Sequence, residues 1–258
     1  MKIRVGQIPY LNSEVFYYDL ADDDIELTPM VPRALSDAAV GGMVDAGPIP
    51  LVTCFDLEDQ FLPLGDYCIA TETKAHSILL FSKRPIKQLS GAVVGITSET
   101  STSVLLLKTL VTHRYHLEAL SYAPLSGTCD AYLLIGDEAL RGRNGVASHP
   151  YRYDLGQEWH RWTGLPFVFA RWIARRDLDL RVVERLITLL GQSIEKGLAE
   201  TSKITASRLD LGMTHEELME YVLSFRYRLG PEELQSIDLF RTLLTKDLRQ
   251  TVTPKETK

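Results

Sequence analysis

The sequence predicts a two-lobed α/β protein with a ligand cleft between its lobes, and three observations predict it. Short apolar, strand-like runs alternate with helix-like stretches up to about residue 82. The alternation starts afresh at Ala92. After Arg175 the pattern becomes helical to the end. Alternation of this kind builds parallel βαβ units. A restart followed by a helical tail implies a chain that builds one lobe, crosses to a second and returns. The expected first lobe is 1–85 with 176–258, and the second is 90–170. Crossing strands are expected near 78–82 and 167–174. Sheets of this class bind ligands beyond the C-terminal ends of their strands, which places the cleft.

Each element has a local reason. Residues 3–8 form a short apolar strand, and 14–20 read as the helix after it. Residues 25–31 read as a strand. Pro32 then suits the first position of a helix, where the missing N–H has no partner to lose. Residues 34–40 continue that helix, Gly41-Gly42 breaks it, and 43–46 lead into a further strand. Asp45-Ala46-Gly47-Pro48-Ile49-Pro50 reads as a tight turn at that strand's end. Ile78–Ser82 is nearly all apolar and stops at Lys83-Arg84-Pro85. In the second half, 92–96 is a strand, 97–103 a polar loop, 104–112 a helix and 117–122 a strand. Ala131–Ile135 is another buried strand, ended by Gly136-Asp137. Residues 153–169 are dense in aromatics, and Trp159 and Trp162 read as packed anchors for the return strand at 167–174. Thr214 with Glu217 fits a capping box, and Gly230-Pro231 a stop and a new start.

Composition removes several function classes. The chain has 258 residues, enough for a substantial core. Its net charge of −6 argues against a nucleic-acid footprint and means that any anion site must rely on local donors. No apolar run approaches the roughly 20 residues of a membrane span. Met1-Lys2 lead straight into a strand-like segment without a signal-peptide pattern, so a cytoplasmic protein is expected. Cys54, Cys68 and Cys129 include no Cys-x-x-Cys and indicate neither a disulfide framework nor a thiolate metal site. His113 and His116 share a helix face but lack a third ligand. His76 and Ser77 are sequence neighbours, which point to opposite faces of a strand. Gly-x-Ser-x-Gly, His-Glu-x-x-His and Gly-x-Gly-x-x-Gly are all absent. No metal and no cofactor are expected.

Four stretches carry candidate chemistry. Hydroxyl side chains crowd Thr97-Ser98-Glu99-Thr100-Ser101-Thr102-Ser103, where a helix begins after a buried strand. Free N–H groups and the helix dipole favour an anion there, although one Ser or Thr would suffice as a cap. Asp45 to Pro50 and Gly136-Asp137 each follow a strand and read as turn residues or site residues. Pro9-Tyr10-Leu11-Asn12-Ser13 lies between the first strand and the first helix. It serves as a turn and cap, or it meets a ligand.

Six blocks together resemble the chorismate dehydratase family of the futalosine route to menaquinone. They are VGQIPYLNSEVFYYDL (5–20), GGMVDAGPIPLV (41–52), HSILLFSK (76–83), TSETSTSVLLLK (97–108), LLIGDEAL (133–140) and YDLGQEWHRWTGLPFVFARW (153–172). Tyr10-Leu11-Asn12 and Thr163 to Phe169 are the most specific parts. The sequence departs at Val15, where the family often has proline, and at Asp19, where glycine is common. The resemblance implies a type 2 periplasmic-binding-protein fold without export. It also implies loss of water from chorismate to give 3-[(1-carboxyvinyl)oxy]benzoate. Carried over by motif, Asn12 and Ser77 are the expected catalytic residues, and Ser13 is left to cap the helix. Tyr10, Gly47, Pro48, Thr97, Ser98, Ser101, Thr102, Ser103, Gly136 and Asp137 are the expected substrate-binding set. The expected partner is chorismate, with no nucleic acid and no membrane. The proton acceptor proposed for this family is one of the substrate's own carboxylates. Two rivals are 1,4-dihydroxy-6-naphthoate synthase, expected to carry a Pro-Asn-Asp-Thr type run in place of Tyr-Leu-Asn, and a non-catalytic binder of small carboxylates.

Overall fold

Eleven strands in the computed structural model form two mixed sheets, over described residues 2–20, 22–125 and 128–252, with side chains described to Thr245. The chain lays down β1 (Ile3–Gln7), β2 (Ile25–Pro29), β3 (Ala46–Pro50) and β4 (Phe61–Thr71) first. It then makes β5 (Ile78–Ser82), β6 (Val93–Ile96), β7 (Ser121–Pro124), β8 (Ala131–Ile135) and β9 (Tyr151–Asp154). β10 (Phe167–Arg175) and β11 (Phe225–Arg228) come last. The six-stranded sheet has the order β11-β4-β10-β3-β1-β2, and the five-stranded sheet β7-β6-β8-β5-β9. β1 pairs in parallel with β2 and β3, as β6 does with β7 and β8, while β4, β5, β9, β10 and β11 pair antiparallel. This is the fold of the periplasmic binding proteins.

The helices begin where local chemistry lets them. Pro32 opens α1 (Pro32–Val40), and Gly41 follows its last turn. α2 (Leu51–Asp56) and α3 (Thr102–Thr109) follow β3 and β6, and α4 (Gly136–Arg141) follows β8. Asp154 caps α5 (Leu155–Thr163), and Gly164 ends it in the left-handed region. α6 (Leu180–Ala199) and α7 (Thr201–Ala206) precede α8 (His215–Leu223), whose Thr214–Glu217 capping box is complete. Pro231 opens α9 (Pro231–Val252). None of the described helices is long and apolar enough to cross a membrane.

Several elements differ from the sequence reading. Residues 14–20 are not a helix: Leu11–Phe16 form a 3-10 turn, and Val15 packs so closely on Gly197 of α6 that a Cβ there would lie 3.0 Å from Val15 Cα. Ser13 does not cap it, because the cap position is Tyr10 and has no side-chain hydrogen bond. The Ser13 hydroxyl instead donates to Asn12 Oδ1 at 3.3 Å. β4 escaped the pattern because Pro63 and Gly65 interrupt it, and a register shift against β10 accommodates Pro63. The region after Arg175 is not wholly helical, since Phe225–Arg228 pairs with β4. Asp45 to Pro50 is not a turn. It is β3, whose prolines survive because β1 reaches it only through Val5↔Ala46. Ile78–Ser82, expected as a crossing strand, pairs with β8 and β9 inside the second sheet. The chain passes between sheets on 72–77, and returns on 164–166 to β10 in the first sheet.

The core binds these layers together. Trp159 is fully buried and meets Phe167, Phe240 and Trp162 edge to face, and its Nε1 donates to Ser236 Oγ at 3.0 Å. The last helix therefore packs at the junction of the two sheets. Arg4 and Arg175 both reach the Asp45 carboxylate, joining β1 and β10 to the start of β3.

Candidate active site

The chain leaves β1 under tight control. The Tyr17 hydroxyl accepts from the Ile8 amide at 3.2 Å and donates to the Gly6 carbonyl at 3.3 Å. This fixes the strand end and turns Tyr10, Asn12 and Ser13 into a cleft between the sheets. Ser77 and Ile78 enter the cleft at the start of β5, Ser101, Thr102 and Ser103 at the start of α3, and Gly136 after β8. Ile8, Ile69, Ile135, Phe169 and Phe225 line it with apolar surface. The cleft contains about 540 Å³ of space, part of it open to solvent. Among the described residues its lining includes no Lys, Arg or His, and no Asp or Glu.

The polar groups differ in what they have left to offer. Asn12 is nearly buried, and its Oδ1 is taken by Ser13. Its Nδ2 meets no acceptor among the described residues and is a free donor at the cleft. Ser77 is 1% exposed. Its hydroxyl accepts from the Tyr221 phenol at 2.7 Å and donates to the Ala75 carbonyl at 3.2 Å. The backbone around it is held firmly. Asp154 accepts from the Ala75 amide at 3.0 Å and the His76 amide at 2.7 Å, and His76 sits at φ 58°. The Ser77 carbonyl accepts from the Gly136 amide at 2.8 Å. Burial lowers the pKa of His76 below the usual imidazole value.

At the start of α3 no side chain caps the helix. Its first-turn N–H groups lack intrahelical acceptors. The hydroxyls there reach across to the other sheet's helices: Thr53 donates to Ser36 at 2.8 Å, Ser36 stands 3.5 Å from Ser101, and the Val52 amide lies 3.5 Å from Thr102 Oγ1.

Two further contacts tie the sides of the cleft together. The Tyr10 hydroxyl donates to Glu99 at 2.5 Å, and burial with this carboxylate raises its pKa well above the ordinary phenol range. Its ring lies over Gly136, where an added Cβ would come within 2.7 Å of it and where φ is 55°. Only glycine fits both conditions. Asp137 accepts from the Leu11 amide at 3.2 Å and pairs with Arg208, which also holds Glu14 at 2.5 Å.

Of the residues singled out in the sequence, Asn12, Ser77, Tyr10, Ser101, Thr102, Ser103 and Gly136 come together on the cleft. Five do not line it. Gly47 and Pro48 lie within β3 opposite Ile173 and Trp172, and Pro50 takes the cleft position. Thr97 is buried and accepts from the Glu99 amide at 3.3 Å. Ser98 is exposed, and the Asp137 carboxylate is already occupied. Sequence reasoning missed the apolar lining, Asp154 and Tyr221. Asp154, at a strand end before a helix, carried a cap signal. Tyr221 carried none, being 144 residues from its partner. Among the described residues no three His, Cys, Asp or Glu side chains are grouped to hold a metal ion.

Comparison with known proteins gives a consistent picture. A family model described as menaquinone biosynthesis matches residues 3–246. The chorismate dehydratase of Thermus thermophilus is 27% identical over 260 residues, covering 93% of this chain and 94% of that protein. The 1,4-dihydroxy-6-naphthoate synthase of Streptomyces coelicolor is 25% identical over 278 residues, covering 98% and 95%. Among solved structures, the alkanesulfonate-binding protein SsuA from Xanthomonas axonopodis pv. citri superposes with a TM-score of 0.69 at 15% identity, covering 98% of this chain and 94% of that one.

Proposed function

Since the chain belongs to the menaquinone biosynthesis family, we propose that it is a chorismate dehydratase acting between two lobes, with the passages between them at 72–77 and 164–166. The observation that carries this reading is the pairing of a free Asn12 amide donor with the Ser77 hydroxyl on one cleft that has no charged lining. Chorismate brings two carboxylates, which need donors. The first turn of α3 supplies them without adding charge, and the Asn12 amide is placed to donate to the departing hydroxyl, where charge develops only in the transition state. Ser77 is placed to hydrogen-bond the departing hydroxyl. The ring C–O bond to the hydroxyl breaks together with the C–H bond on the neighbouring, ether-bearing ring carbon; the C–H proton passes to the acceptor, the hydroxyl leaves with a proton as water, and the ether bond stays intact. Aromatisation of the ring supplies the driving force, so the protein's task is to position the substrate and stabilise developing charge. Glu99 and Asp137, the nearby carboxylates, are engaged by Tyr10 and Arg208. The resemblance to the chorismate dehydratase family implies one of the substrate's own carboxylates as the proton acceptor. The setting is cytoplasmic and the small-molecule partner is chorismate.

The test is incubation of purified protein with chorismate and mass analysis of the products. An aromatic product lighter by one water supports the reading. Unchanged chorismate would turn attention to the naphthoate synthase reaction, which the second relative favours. Unchanged chorismate that nevertheless binds would favour a carboxylate-binding protein.

A further inference from the structure

We propose that Tyr221 is a positioning residue for this reaction, donating its phenol proton to Ser77 Oγ and so freeing the serine's own proton for the cleft. The proposal rests on the dehydratase reading. A serine hydroxyl has one proton and two acceptor lone pairs. Tyr221 is buried in the core of the first sheet, on α8, and its hydroxyl reaches Ser77 Oγ at 2.7 Å. With that bond made, Ser77 cannot donate toward Tyr221. Its proton has the Ala75 carbonyl at 3.2 Å, two residues back in its own chain, or an acceptor that enters the cleft. A substrate hydroxyl competes well against that long local bond. A donor behind the serine also polarises its O–H, because hydrogen bonds in a chain strengthen one another.

Both ends of this relay are rigid. The Tyr221 ring meets Phe225 edge to face at 5.2 Å, and Phe225 itself lines the cleft. Ser77 is anchored through Gly136 and through the two amides held by Asp154. Burial keeps the phenol protonated, with a pKa well above the ordinary value, so it remains a donor across the working pH range. Tyr221 does not line the cleft, so the effect of its hydroxyl passes through Ser77.

The experiment is a double-mutant cycle with chorismate as substrate: Tyr221→Phe, Ser77→Ala and the pair together, with Tyr227→Phe as a matched control. Tyr227 is also a buried tyrosine, but its hydroxyl donates to the Val222 carbonyl at 3.0 Å. Tyr221→Phe is expected to lower kcat about tenfold, as befits a group acting through another donor, with KM and product affinity nearly unchanged. In the Ser77→Ala background the same change should have no further effect, and Tyr227→Phe should turn over normally. An unchanged kcat in Tyr221→Phe, an equal loss in Tyr227→Phe, or a full additional loss on top of Ser77→Ala would each overturn the proposal alone. Wild-type protein that forms no dehydrated product would remove the dehydratase reading and this proposal with it.

Discussion

Asn12 and Ser77 on one hand, and Tyr10, Glu99 and Asp137 on the other, stand around the same cleft, yet their hydrogen-bonding states differ. The Asn12 amide has a donor with no partner among the described residues, and Ser77 has a proton held only by a long local bond. Tyr10 is committed to Glu99, and Asp137 to Arg208 and the Leu11 amide. The first pair has capacity for a ligand. The second set spends its capacity holding the lobes together. Two residues of one motif, Tyr10 and Asn12, thus divide into a strap and a donor. Closeness to a cleft marks a group as a candidate, and unused hydrogen-bonding capacity decides which candidates meet substrate.

The largest effect that would sharpen this contrast belongs to Ser77→Ala. Loss of one donor to a developing charge typically costs about a hundred- to thousand-fold in rate. Steady-state kinetics should show that loss in kcat, with product still bound. Gly136→Ala comes next. It forces a side chain into a left-handed position and against the Tyr10 ring, and should cost about 1–3 kcal/mol by urea unfolding. Arg208→Ala should break the Asp137 strap and leave two carboxylates without their cation. Solution scattering without ligand should then show a larger radius than wild type. Product should bind about tenfold more weakly, because the closed form has become scarcer. An unchanged radius would mean that Asp137 and Arg208 are not what closes the cleft. Thr102→Ala is the smallest, weakening product binding by roughly 1 kcal/mol for one neutral hydrogen bond, with little change in kcat.

What was legible in the sequence was local. Pro32 and Gly41 bracket α1, Thr214 and Glu217 complete a capping box, and Ile78–Ser82 and Ala131–Ile135 are buried strands, each written in a few consecutive residues. β4 was hidden because Pro63 and Gly65 break its alternation, although β10 tolerates both through a bulge. Asp45 to Pro50 reads as a turn because Gly47 and two prolines suit one, and the limited pairing of β3 with β1 is what lets the prolines stay in a strand. The strap residues could not be told from ligand residues in sequence. Asp137 looks the same whether its partner is a substrate donor or Arg208, and that difference is set by contacts spanning 71 positions. Tyr221 was invisible for the same reason: an isolated tyrosine on a helix gives no sign of the serine behind which it packs.

The most direct test of the division between donors and straps is Asn12→Ala, measured by turnover of chorismate beside titration with the product. The account predicts a folded protein that binds product with affinity close to wild type and converts chorismate at least a hundred times more slowly, the scale of a lost transition-state donor. Near-normal turnover would contradict it, and would make the turn after β1 a structural feature alone.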